Sequence, residues 1–212
     1  MLRKFMNHEK GITGLETAII LIAFVVVAAV FAYTALSAGL FSTQKAQEAV
    51  YSGLQEAQST LELRGSVIAT ANSSDGVVQQ VTFTVANVLG GESIDFTEPS
   101  AANATGQALS TSTNKVVINY IDQSQTVTDL YWQATPLGTD DGDDLLETNE
   151  KFQITIGSDT AGTGAGNLID ALTTAALDVN TTFTLEVVTP AGAVLQIERT
   201  TPAYIDTKMN LR

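Results

Sequence analysis

The chain has 212 residues, with 10 Lys and Arg against 23 Asp and Glu, a net charge of −13, one histidine (His8) and no cysteine. Without cysteine there is no thiolate zinc site, no disulfide and no cysteine nucleophile, and an acidic chain lacking a basic patch repels phosphate backbones, which excludes a nucleic-acid partner. The length suits one ordinary domain and an additional element.

That element comes first. Met1 to Gly11 reads MLRKFMNHEKG, with Arg3, Lys4 and Lys10 ahead of an apolar run, the arrangement of a cytoplasmic flank. No residue from Thr17 to Phe41 is charged, and Ala18 to Phe31 (AIILIAFVVVAAVF) is apolar at every position, a stretch of membrane-spanning length. An ordinary secretory signal has an apolar core of only about 7–15 residues. Here the apolar pattern continues, with Ala46, Ala49, Val50, Leu54, Ala57 and Leu61 on one face of an amphipathic helix. No proline precedes Pro99. One helix is therefore predicted over Ile12 to Leu63, about 78 Å long, with Gly39 and Gly53 as soft points costing about 1 kcal/mol each.

Arg64-Gly65 ends the helical pattern, and residues 64–212 turn to Thr, Val, Ser, Asn, Gly and Asp. Period-two runs follow at Val77 to Ala86, Lys115 to Ile121, Thr126 to Ala134, Phe152 to Ile156, Thr182 to Val188 and Ala193 to Arg199, with one short helical stretch at Asn167 to Leu177. The expected fold class is α+β: a long N-terminal apolar α-helix followed by an antiparallel immunoglobulin-like β-sandwich head without a disulfide. Val116, Ile118, Trp132, Ile154 and Leu185 are expected core residues. Trp132 with Tyr131 as a carbohydrate platform is the weaker reading.

The junction Lys10-Gly11, then Ile12-Thr13-Gly14-Leu15-Glu16, then the apolar helix, resembles the class III signal peptide of type IV pilin-like proteins. The longer stretch ITGLETAIILIAFVVVAAVFAYTALSAGLFSTQKAQEAVYSGL is similar to that of the archaellins, the archaeal flagellins. The resemblance implies that a prepilin-type membrane aspartyl peptidase removes residues 1–11 by cutting between Gly11 and Ile12. Residues 12–63 then form a filament-core helix and residues 64–212 the outward-facing head. It also makes Ile12, Gly14 and Glu16 the assembly motif, with Glu16 as fifth mature residue. The implied partners are further copies of the chain, related subunits, the peptidase, and membrane export and motor machinery. The implied location is an extracellular filament, with the subunit in the cell membrane before assembly.

The residues support the same reading physically. Cutting after Gly11 removes Arg3, Lys4, Lys10 and Glu9 and moves the net charge to −15. It also frees an ammonium at Ile12, the obvious counter-charge for Glu16, whose carboxylate is expensive among apolar neighbours unless paired. The bland alternative has Glu16 at the lipid headgroup level of a single-pass anchor.

Two features of the head stand apart. Asp140, Asp141, Asp143, Asp144, Glu147 and Glu150 crowd into one turn. Hard oxygen ligands at that density suit Ca²⁺, although the spacing fails the EF-hand pattern, and a solvated acidic turn accounts for it equally well. Asn72-Ser73-Ser74, Asn103-Ala104-Thr105 and Asn180-Thr181-Thr182 meet the N-glycosylation rule.

No enzyme is expected: the single histidine lies in the leader, and no nucleophile triad, phosphate loop or zinc pattern is present. No cofactor is required. The functional expectation is a structural subunit of an archaellum filament used in swimming. The rivals are an adhesive type IV-like pilin and a membrane-anchored extracellular β-domain that binds a ligand.

Overall fold

The structure, a computed structural model, describes residues 6–58, 60–71, 76–88, 91–139, 141–157 and 168–211. The chain divides into two compact units, Met1–Ser52 and Gly53–Arg212.

Helix α1 spans Met6–Gln58, 53 residues without a break. Its β-branched residues would serve equally well in strands, but a helix satisfies every backbone donor and acceptor within the segment, which an apolar surrounding demands. The hydroxyls follow the same economy. Thr17 Oγ1 donates to Gly14 O (3.0 Å), Thr34 Oγ1 to Phe31 O (3.0 Å) and Thr43 Oγ1 to Leu40 O (2.9 Å). These three side chains thus find acceptors on their own helix.

The helix ends before the predicted Leu63. Thr60 Oγ1 donates to Ala57 O, capping the last turn. Leu61–Leu63 is instead strand β1, paired antiparallel with β3 (Val78–Asn87) and turning Leu61 into the core at 5% exposure. The Leu-Glu-Leu alternation decides this, because a strand buries one face of three residues where another helical turn would leave sheet hydrogen bonds unmade.

The remaining strands are β2 (Val67–Ala71), β4 (Ile94–Asp95), β5 (Val117–Asp122), β6 (Thr126–Val127), β7 (Trp132–Pro136), β8 (Leu145–Leu146), β9 (Lys151–Gly157), β10 (Thr182–Val188), β11 (Val194–Thr200) and β12 (Lys208–Leu211). One sheet runs β12-β2-β3-β9-β7 with β1 added on β3, a second runs β11-β10-β5-β6, and β4 pairs with β8. Every pairing among them is antiparallel. The two larger sheets share one core, with Phe83, Trp132 and Ile154 from the first and Ile118, Tyr120 and Leu185 from the second, so the head is an antiparallel sandwich.

Aromatic contacts set the core's depth. Phe96 meets Trp132 and Phe152 edge-on, with centroids 5.8 Å apart in both cases, and Tyr120 stacks on Phe183 at 5.7 Å. Trp132 is fully buried. It is core, as expected, and offers no carbohydrate platform.

Two sequence expectations change. The predicted strand Thr126 to Ala134 is two strands, interrupted where Asp129 takes a left-handed φ of 54° and Leu130 N donates to Ile118 O (2.8 Å). The predicted helix Asn167 to Leu177 contracts to α2, Leu168–Ala171, with Asn167 outside the described residues. Leu177 O instead accepts a 3.0 Å bond from Val78 N, so this segment is tied to the sheet.

Candidate assembly surface

The surface built by α1 is apolar on every side. Leu15, Ile19, Phe24, Phe31, Tyr33, Leu36 and Phe41 are exposed by 59–74%, and every residue from Gly14 to Leu54 is exposed. A 41-residue stretch, Gly14–Leu54, is long and apolar enough to cross a bilayer, for which about 20 residues suffice. Large side chains alternate with small ones along it. Hollows of about 310 Å³, lined by Tyr33, Leu36, Ser37, Leu40, Phe41 and Gln44, and about 290 Å³, lined by Ala46, Gln47, Val50 and Tyr51, open on the helix surface. They are of the kind into which side chains of a facing helix insert.

Glu16 is the single charge between Gly14 and Gln44 and is exposed. The ion pairs among the described residues are Lys45–Glu48 (2.6 Å) and Arg64–Glu62; Glu16 belongs to neither. Gly11 and Ile12 lie in the helical backbone of α1, so the expected cleavage junction falls inside a helix in the uncut chain. Gly11 and Gly14 each cost about 1 kcal/mol relative to alanine there, which makes that turn easy to unwind.

The other sequence-predicted residues lie on the head, each in its own place. Asn72 and Asp140 lie outside the described residues. Asn103 is half-buried, and its Oδ1 accepts from Thr105 N (2.9 Å), Thr105 Oγ1 (2.9 Å) and Gln107 N (3.0 Å). Asn180 is exposed in a left-handed conformation (φ 52°), beside a hollow of about 240 Å³ lined by Asp122, Ser124, Thr181 and Thr182 among others.

In the acidic turn, Asp143 Oδ1 accepts from Leu145 N (2.8 Å) and Glu150 Oε2 from Glu147 N (3.0 Å), so two carboxylates shape the turn itself. Asp141, Asp144 and Glu147 are exposed. Among the described residues no group of three or more His, Asp or Glu side chains stands close enough to hold a metal ion.

A polar cluster that sequence reasoning missed sits at the end of β5. Asp122 accepts from Ser124 N (2.6 Å), Ser124 Oγ (2.7 Å), Gln125 N (2.8 Å) and Tyr120 OH (2.9 Å). Burial pushes the Asp122 carboxyl up, but these donors outweigh it and hold it at about 2. Burial first, then the bond to Asp122, pushes the Tyr120 hydroxyl far above its ordinary value. The signal was Asp-Gln-Ser-Gln, an acceptor followed by donors at a hairpin turn.

Comparison with known proteins agrees with this architecture. The family model for Archaeal-type flagellin matches residues 11–199. "Probable flagellin 2" of Archaeoglobus fulgidus is 40% identical, with 94% of this chain and 93% of that one covered, and "Probable flagellin 1" of the same organism is 36% identical over 98% of both. Among solved structures, the archaeal flagellum of Methanospirillum hungatei strain JF1 superposes with a TM-score of 0.60 at 28% identity, covering 93% of this chain and 98% of that one. The apolar helix, the sandwich behind it and a match that includes the Gly11–Ile12 junction agree: this chain belongs to the archaeal-type flagellins.

Proposed function

We propose that the chain is a structural subunit of an archaellum filament and polymerises with further copies of itself through α1. The observation that carries this reading is the helix exposed and apolar all round over Gly14–Leu54. Such a surface is stable only in lipid or among other helices. Moving it from a bilayer into a bundle exchanges one apolar surrounding for another, so extraction is cheap. Returning it to water forfeits up to about 1.5–3 kcal/mol for each large apolar side chain. Polymerisation from the membrane is therefore easy and its reversal is not. The function is mechanical, and export and rotation belong to partner machinery.

In this reading the subunit waits in the cell membrane until a prepilin-type peptidase cuts between Gly11 and Ile12. The new ammonium at Ile12 then lies four residues ahead of Glu16 and neutralises it, either within one chain or on a neighbour whose axial register the pair fixes. In this reading Asn72, Asn103 and Asn180 are the glycan acceptors, and the acidic turn adds negative charge to the head.

Electron microscopy and N-terminal sequencing of the sheared cell-surface fraction test the whole reading. Fibres whose subunit begins at Ile12, with intact masses that report any glycan, are expected. A Glu16→Leu variant is expected to be cut normally but to yield at least tenfold fewer fibres. A subunit that keeps Met1 and stays in the membrane would sink the proposal, and undiminished fibres from Glu16→Leu would remove the pairing from it.

A further inference from the structure

The head is strongly acidic, yet the outward strand residues of one of its two broad faces are not. Outward-facing residues of the six-stranded sheet are those that alternate with the buried ones: Gln80, Thr82 and Thr84 on β3, Lys151, Gln153 and Thr155 on β9, Gln133 and Thr135 on β7, Lys208 and Asn210 on β12. The register aligns them across the sheet, with Ile68 opposite Thr82, Thr82 opposite Thr155 and Thr155 opposite Gln133. Among the strand residues of this face the only acid is Glu62, and Arg64 at the end of β1 pairs with it. Lys151 and Lys208 are exposed and belong to no ion pair among the described residues. The strand residues of this face, with Arg64, thus carry three basic groups against one acid in a chain of charge −13.

The outer face of the four-stranded sheet is its complement. Glu186 on β10 and Glu198 on β11 point outward, and Thr184, Gln196, Asn119 and Val188 align with them in register. No outward strand residue of that face is basic; Arg199 falls on the inward parity, opposite buried Phe183. Each face also carries an exposed apolar residue, Ile68 (41%) on the first and Val194 (47%) on the second.

We propose that the outer face of the six-stranded sheet docks on the outer face of the four-stranded sheet of a second copy, Lys151 and Lys208 meeting Glu186 and Glu198. This rests on the filament reading and adds to it a head-to-head contact. The two faces are on opposite sides of one sandwich, so the contact is heterologous and leaves each head with a face for the next copy. Such contacts propagate as open fibres when the rotation does not close. Charge complementarity sets the direction, because either face meeting its own kind places like charges opposite one another. The Thr and Gln rows supply donors and acceptors without adding charge.

The absence of cysteine makes the contact directly readable. In filaments sheared from cells making the full chain, Gln153→Cys with Gln196→Cys, or Thr155→Cys with Thr184→Cys, is expected to oxidise to a ladder of dimers, trimers and larger species on non-reducing gels. Each single substitution is expected to remain monomeric. Lys151→Glu with Lys208→Glu is expected to lower filament yield at least tenfold at low salt, and adding Glu186→Lys with Glu198→Lys to restore it. Filaments that run wholly as monomer with both cysteine pairs overturn the docking. So does a Gln153→Cys variant that dimerises alone, or a loss of yield that the compensating reversal leaves uncorrected while the detergent-solubilised subunit melts as the wild type does. A wild-type chain that forms no fibres would overturn the filament reading itself, a separate outcome.

Discussion

Asp122 shows how one side chain couples a hairpin to the head's core. Its carboxylate gathers donors from Ser124, Gln125 and Tyr120, and Gln125 Nε2 in turn donates to Ala175 O (2.6 Å), tying the β5–β6 turn to the segment after α2. The folded state holds this carboxyl at about 2, below the unfolded value near 3.9. Because the folded value is the lower one, the stabilisation is complete above about pH 4 and disappears as pH falls through about 2. Half-exposure limits it to about 1–2 kcal/mol. In thermal melts of the detergent-solubilised full chain, Asp122→Asn should be less stable than wild type by about that amount at pH 7. The two should converge between pH 4 and pH 2. A difference independent of pH across that window would show that the charge contributes nothing and only the amide geometry matters. The sequence contained this cluster as a polar turn, but not its link to Ala175, 50 residues away, which only tertiary structure brings within reach.

On the scale of the element, α1 separates folding from assembly in a way that can be measured. Ala28, Ala32, Ala35, Gly39, Ser42, Ala46, Ala49 and Gly53 recur at alternating steps of four and three, a seam of small residues on the seven-residue repeat of packed helices. A Cβ added at Gly39 meets nothing within 4 Å in the single chain. Gly39→Leu should therefore leave the subunit folded and membrane-held, with helix propensity improved by up to about 1 kcal/mol. It should still sharply reduce fibres by holding neighbouring helices apart. Comparing membrane-bound subunit with sheared fibre measures this, and wild-type fibre yield would rule out close packing along the seam. The helix was legible from its apolar run alone, and β3, β5, β9, β10 and β11 from strict alternation. β2 escaped because Val67, Ala69, Thr70 and Ala71 are all buried, with a register shift at Thr70/Ala71 that blurs the period. β4 and β8 are two residues each, too short to carry any period. Asp129 was the missed sign that Thr126 to Ala134 is not one strand, since a left-handed aspartate suits a turn and not a sheet interior.

For the whole molecule, assembly sets the burial of α1 and the proposed docking of the sandwich faces against the repulsion of the subunits' net negative charge. The apolar helices draw subunits together regardless of salt, because burying their surface is not electrostatic. With the proposed cleavage the subunit carries a charge of −15, nearly all of it outside the apolar stretch, so packing subunits into a filament brings like charge together. The proposed assembly residues Ile12, Gly14 and Glu16 could be named from the sequence because they lie within five residues of one another. The opposite characters of the two sandwich faces could not, since they depend on which strands share a sheet and on the parity of each. The balance of forces predicts a specific salt response. Screening reaches about 8 Å at 0.15 M salt but about 30 Å at 0.01 M, so dilution lets each head feel several neighbours. Sheared filaments moved from 0.15 M to 0.01 M salt should therefore dissociate at a lower temperature, by electron microscopy and light scattering. Magnesium should reverse the shift at far lower concentration than sodium. The helix bundle should keep fibres intact at room temperature throughout, because its apolar burial is unaffected. Fibres whose dissociation temperature does not move with salt would mean that attraction between the docked faces offsets the net repulsion of the heads.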